Sequence, residues 1–145
     1  MTTKITVLGA GGMGTACAVL LAHQPVGPNG VRLRFLMDRY PKVRWGAIVD
    51  NLDTMTTLGK IFADAPRKLA VYVDLDCGHH RTGVCPGEEA GELYKAIAHA
   101  PGLEAGGLHA YDGHNHEPDL KKRTKLCDGD FAPVLAFRDD LGSLG

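Results

Sequence analysis

Three short apolar-rich stretches are each closed by polar residues, and helix-patterned segments separate them. Val43 to Val49 alternates Trp45, Ala47 and Val49 against Arg44 and Gly46 and ends at Asp50-Asn51, which predicts a strand. Leu69 to Leu75 (Leu-Ala-Val-Tyr-Val-Asp-Leu) is nearly all apolar, as a strand buried on both faces of a parallel sheet is. Leu103 to Ala110 is the third strand. Asp53 is placed to cap a helix after the first of these. Pro86 and Glu88-Glu89 open another running to about Ala100, with proline in the first turn, acids at the positive end of the dipole, and Pro101-Gly102 as the stop. Val31 to Tyr40 also reads as a helix, because Arg34 and Asp38 stand four apart and Pro41 follows. A last helix is expected from Asp119 to roughly Phe137.

The N-terminus has its own rhythm. Lys4 to Gly9 is a β-branched run, Met13 to Ala22 is alanine-rich and suits a helix, and glycines lie between. Strands each followed by a helix predict an α/β protein with parallel strands. In such folds chemistry sits beyond the carboxyl ends of the strands. Asp50-Asn51, Asp76 to Thr82 and His109 to His116 are therefore expected on one rim.

Composition narrows the partners. Sixteen basic and 17 acidic residues give a net charge of -1, so no global positive field draws the chain to nucleic acid or anionic lipid. The run Ala16 to Ala22 is too short to span a bilayer and no signal-peptide pattern precedes it, which gives a cytoplasmic expectation and no membrane partner. Cys17, Cys77, Cys85 and Cys127 lack C-x-x-C spacing and are expected as free thiols.

Gly9-Ala10-Gly11-Gly12-Met13-Gly14 fits G-x-G-x-x-G between a strand and a helix, where backbone amides can hold a pyrophosphate. The string Ile5 to Ala22 resembles the N-terminus of NAD-dependent glycerol-3-phosphate dehydrogenase, which implies Gly9, Gly11 and Gly14 at a dinucleotide and NAD as an alternative cofactor. Asp38 stands about where a ribose-reading acid would be. A plain glycine turn of an α/β protein is the other reading. The resemblance stops after Ala22.

From His23 to Ala136 several blocks occur in order. They are His23-Gln24-Pro25-Val26-Gly27-Pro28-Asn29, Ile48-Val49-Asp50-Asn51, and Val73-Asp74-Leu75-Asp76-Cys77-Gly78-His79-His80-Arg81-Thr82-Gly83-Val84. Pro86-Gly87-Glu88-Glu89-Ala90 and Gly107-Leu108-His109-Ala110-Tyr111-Asp112-Gly113-His114 follow. Together they resemble the D-threonine aldolase and D-serine dehydratase family, relatives of alanine racemase. The resemblance implies a (β/α)₈, TIM-type barrel that binds pyridoxal phosphate at its mouth and cleaves or dehydrates small D-β-hydroxy amino acids. It also implies Arg81 near the coenzyme phenolate, His109 by the ring and Tyr111 at the ring or substrate face. A guanidinium near a phenolate is a sensible way to tune the coenzyme. The alternative for Arg81 is a strand-end ion pair with Asp74 or Asp76. His79, His80, His109, His114 and His116, with Cys77 and Asp112, invite a metal reading. Their spacing matches no ligand pattern, so they read as loop histidines, and no metal ligand is assigned.

Two parts of such an enzyme have no counterpart in the chain. The Schiff-base lysine belongs to a segment upstream of His23, where the dehydrogenase-like start stands, and Lys4 precedes a different strand. The aldolases' C-terminal metal site is likewise without a match. A barrel takes about 250 residues, so the expectation is a partial barrel over residues 23–145 after a Rossmann-like strand, glycine turn and helix over residues 1–22. That describes a fragment, fusion or chimera, joined near Val19 to Ala22, with no assigned catalytic residue. It is expected to be inactive alone and to self-associate through open edges. Against it stand an NAD-binding fragment and a non-catalytic α/β fragment.

Overall fold

The computed structural model describes residues 18–21 and 23–143. The chain runs β1 (Ala18–Leu21), α1 (Pro28–Arg39), β2 (Arg44–Val49), α2 (Leu52–Phe62), β3 (Leu69–Leu75), α3 (Glu88–His99), β4 (Leu103–Ala110) and α4 (Leu120–Ser143). The four strands form one parallel sheet in chain order, β1-β2-β3-β4. That order, with a helix after each strand, is the arrangement of a barrel wall.

The helix expected over Met13 to Ala22 is overturned at its C-terminal end. Ala18–Leu21 is a strand, and Ala18 to Leu21 pair in register with Arg44 to Ala47 of β2. Alanine and leucine favour helix locally, but the ladder beside β2 satisfies the backbone and overrides that preference. Gly9, Gly11 and Gly14, with the strand from Lys4, lie outside the described residues. Asp38 is not at a strand end. It sits in α1, where Arg34 holds it at 3.0 Å, while the same guanidinium reaches Asp64 at 3.0 Å and the Ile61 carbonyl at 3.1 Å. A helix position paired with Arg34 is not the strand-end position that a ribose-reading acid takes. The cap of α2 is also two residues earlier than expected. Asn51, not Asp53, accepts the Thr54 N–H at 2.8 Å.

Alternation in the strands sorts residues onto two faces. Ala47 and Val49 of β2 and Leu69, Val71, Val73 and Leu75 of β3 pack with Leu33 and Met37 of α1, Met55, Leu58 and Phe62 of α2, Leu93 and Ile97 of α3, and Val134 and Phe137 of α4. The helices thus cover one face. Tyr72 and Asp74 fall on the other.

In β4 this phase changes midway. Val71 pairs with Ala105, but Tyr72 pairs with Gly107, so Gly106 is an extra residue in β4. Leu103 and Ala105 join the helix-side core before the bulge, and Leu108 and Ala110 after it. His109 is thereby turned to the opposite face, beside Asp74. Glycines make the bulge possible. A Cβ on Gly106 would stand 2.8 Å from the Tyr72 ring, and Gly107 holds φ +130°. Gly107→Ala is therefore expected to lower unfolding free energy by about 1–3 kcal/mol, read from urea unfolding. A variant as stable as the parent contradicts the bulge geometry.

Candidate active site

The carboxyl ends of β2, β3 and β4 meet as expected. β3 enters its loop with two acids, and the loop folds back because Val84 bridges to Leu75. The Asp76 N–H donates to the Val84 carbonyl and the Val84 N–H to the Asp74 carbonyl, both at 3.0 Å. Gly83 closes this return at φ +102°, where an added Cβ would lie 2.5 Å from the Asp76 nitrogen. Its N–H donates to Asp50 at the end of β2, at 3.0 Å. One hydrogen bond therefore ties two strand ends together.

Inside the loop Asp76 organises the backbone. Its Oδ1 accepts from the Gly78 and His80 N–H groups, each at 2.9 Å, and Oδ2 lies 2.7 Å from His80 Nδ1. These bonds hold His80 at φ 52°, an uncommon conformation for a residue with a side chain. Burial pushes the Asp76 carboxyl up, but the two N–H donors and the His80 ring outweigh it and leave the pKa below the ordinary carboxylate value.

Arg81, next in sequence, does not pair with Asp74 or Asp76. Its guanidinium lies over the Tyr111 ring, 5.7 Å from the centroid. Asp74 instead lies 2.7 Å from His109 Nδ1 and accepts the Thr82 hydroxyl at 3.0 Å. His79 meets Tyr111 edge-on at 6.0 Å and stacks on His114 at 5.6 Å, and His114 Nε2 is 3.1 Å from Asp130 of α4. Arg81, His109 and Tyr111 thus border one narrow cleft with Asp74, Cys77, His79 and Thr82, with room of about 10 Å³. The Cys77 thiol is raised in pKa by burial, which disfavours a thiolate nucleophile. Cys77, Cys85 and Cys127 are free thiols. Among the described residues no group of three or more His, Cys, Asp or Glu is placed to hold a metal ion. No described helix is long and apolar enough to cross a membrane.

Sequence reasoning named Asp74 only as a partner for Arg81 and gave Thr82 no role. The signal was available. An acid inside the apolar run Leu69–Leu75 must find a partner when the strand is buried.

A larger cavity, about 250 Å³, lies at the amino end of the sheet, lined by Arg34, Met37, Asp38, Pro41, Ala65, Pro66 and Arg67. Its charges are committed. Arg34 pairs with Asp38 and Asp64, and Arg67 donates to the Met37 and Val43 carbonyls at 3.2 and 3.3 Å. The carboxyl rim is the better site because Arg81 and His109 border its cleft, whereas Arg34 and Arg67 are tied up in ion pairs and hydrogen bonds.

Comparisons with known proteins bear on the family and the fold. The family model described as the alanine racemase N-terminal domain matches residues 34–141. The chain belongs to that family. It is 32% identical over 123 residues to 3-hydroxy-D-aspartate aldolase of Paracoccus denitrificans, covering 81% of this chain and 32% of the relative. D-threonine aldolase of an Arthrobacter species is 26% identical over 108 residues, 74% of this chain and 28% of the relative. In fold, the crystal structure of D-threonine aldolase from Filomicrobium marinum superposes with a TM-score of 0.74 at 30% identity, over 86% of this chain and 34% of that one. The chain thus spans about a third of the length of these relatives. Alanine racemase of Clostridium difficile shares the fold, with a TM-score of 0.58 at 17% identity and coverage of 86% and 38%. The parallel wall of a TIM-type barrel is thereby the fold of this family member.

The loop geometry is testable apart from any ligand. The depressed Asp76 pKa means a stabilising contribution that is complete above the ordinary value of 3.8 and lost as pH falls through the lower folded-state value. Asp76→Asn should cost about 1 kcal/mol near neutrality. The deficit should shrink below about pH 4 in chemical unfolding. A deficit that is constant with pH contradicts the assignment.

Proposed function

We propose that the cleft at the carboxyl rim is part of a pyridoxal phosphate pocket in a lyase acting on D-β-hydroxy amino acids, the class to which the two named aldolases belong. The observation that carries this reading is the convergence of Arg81, His109 and Tyr111 on one cleft. A cation against an aromatic face and an imidazole fixed by a buried carboxylate form a donor set suited to a flat, anionic, aromatic coenzyme. When bound, that coenzyme supplies an electron sink for breaking a bond at the amino acid's α-carbon.

The residues divide the work by their chemistry. Arg81 offers fixed positive charge and cannot be deprotonated at physiological pH, so it binds and polarises an anionic oxygen without exchanging a proton. Tyr111 presents a half-exposed ring that shields the guanidinium on one side and offers a face for stacking. Two imidazoles able to hold or move a proton border the cleft, His79 and His109, and of these His109 is the one hydrogen-bonded to a buried carboxylate. No lysine borders the cleft among the described residues, so no covalent step is derived for these groups.

Pyridoxine 5′-phosphate, which has no aldehyde and cannot link to surface lysines, separates this binding from adventitious chemistry. Fluorescence or calorimetric titration should show saturable binding that Arg81→Ala weakens at least about tenfold, a loss of roughly 1.4 kcal/mol. Equal affinity in the variant, or no saturable binding by the parent chain, counts against the proposal.

A further inference from the structure

Asp74 is the one buried charged side chain among the described residues, 4% exposed, and it sits on the inner face of β3. A carboxylate in such a place is costly unless its oxygens are matched. Both are: Oδ1 lies 2.7 Å from His109 Nδ1, and Oδ2 accepts the Thr82 hydroxyl at 3.0 Å. Because a carboxylate has acceptors only, His109 must place a hydrogen on Nδ1. The remaining nitrogen, Nε2, makes no hydrogen bond to the protein among the described residues, on a side chain that borders the cleft.

From this geometry we infer that Asp74 is a positioning residue that makes His109 Nε2 the proton-exchanging atom of the cleft. Neutral His109 then offers a bare acceptor at Nε2, and protonated His109 offers a donor at the same atom. The ligand chemistry this suits is a group that shares a proton, next to the fixed charge of Arg81, which cannot. Thr82 contributes by occupying the second carboxylate oxygen, so that Asp74 keeps a single orientation. The role within a reaction rests on the coenzyme-site reading above, but the tautomer does not.

Two-bond ¹H–¹⁵N correlation spectra of the chain labelled with ¹⁵N-histidine, assigned with His109→Gln, read the tautomer directly. Once the ring is titrated to its neutral form, His109 should show a protonated Nδ1 and a bare Nε2. Asp74→Asn, whose amide can donate as well as accept, should lose this single form, and Thr82→Val should retain it. Hydrogen on Nε2 in the parent chain, or an unchanged tautomer in Asp74→Asn, overturns the inference. The parent spectrum alone decides the matter if Asp74→Asn does not fold. Adding pyridoxine 5′-phosphate separates the two ideas. A shifted His109 Nε2 resonance supports both, and the expected tautomer with no shift leaves the positioning role standing while the coenzyme reading fails.

Discussion

One extra residue in β4 decides what the sheet presents at its rim. Without the bulge, with Gly106 paired opposite Tyr72, the alternation begun by Leu103 and Ala105 would carry His109 toward the helices and leave Leu108 opposite Asp74. With it, Leu108 and Ala110 complete the helix-side packing and His109 lies against the buried carboxylate. The bulge therefore serves core and site together. It gives apolar side chains to the covered face and a polar pair to the open one. The remaining contacts follow from that pair, since Thr82 can reach Asp74 only because the loop from Asp76 folds back through Gly83 to Val84.

The two ends of the sheet show different uses of charge. At the amino end Arg34 and Arg67 are consumed in tying α1 to α2 and to the connections before β2 and β3. At the carboxyl end Arg81 rests on an aromatic ring and His109 keeps one nitrogen unpaired among the described residues. The first arrangement stabilises and the second leaves binding capacity. This division is the one expected of a barrel wall, where the strands' carboxyl ends carry the site.

Much of the fold was legible because its signals are local. Leu69–Leu75 reads as a buried strand, Pro101-Gly102 as a stop, and Arg34 with Asp38 as one helix face. The error over Ala18–Leu21 arose where local preference and sheet pairing disagree, since nothing in Ala-Val-Leu-Leu announces a neighbour at Arg44 to Ala47. The site was legible as a list and not as an arrangement. Arg81, His109 and Tyr111 were placed by family resemblance, and the cleft brings all three together. The Asp74–His109 contact depends on a one-residue register change between distant segments. The paired glycines Gly106-Gly107 inside an apolar strand were its only trace in the sequence.

The central claim is that the carboxyl rim, and not the larger cavity at the amino end, is where the coenzyme binds. Backbone ¹H–¹⁵N spectra of the chain titrated with pyridoxine 5′-phosphate test it most directly. The account predicts perturbations that saturate together at residues 78–83 and 109–114, with Arg34, Asp38 and Arg67 unmoved. Saturable perturbations around Arg34 and Arg67, with the rim silent, would contradict it.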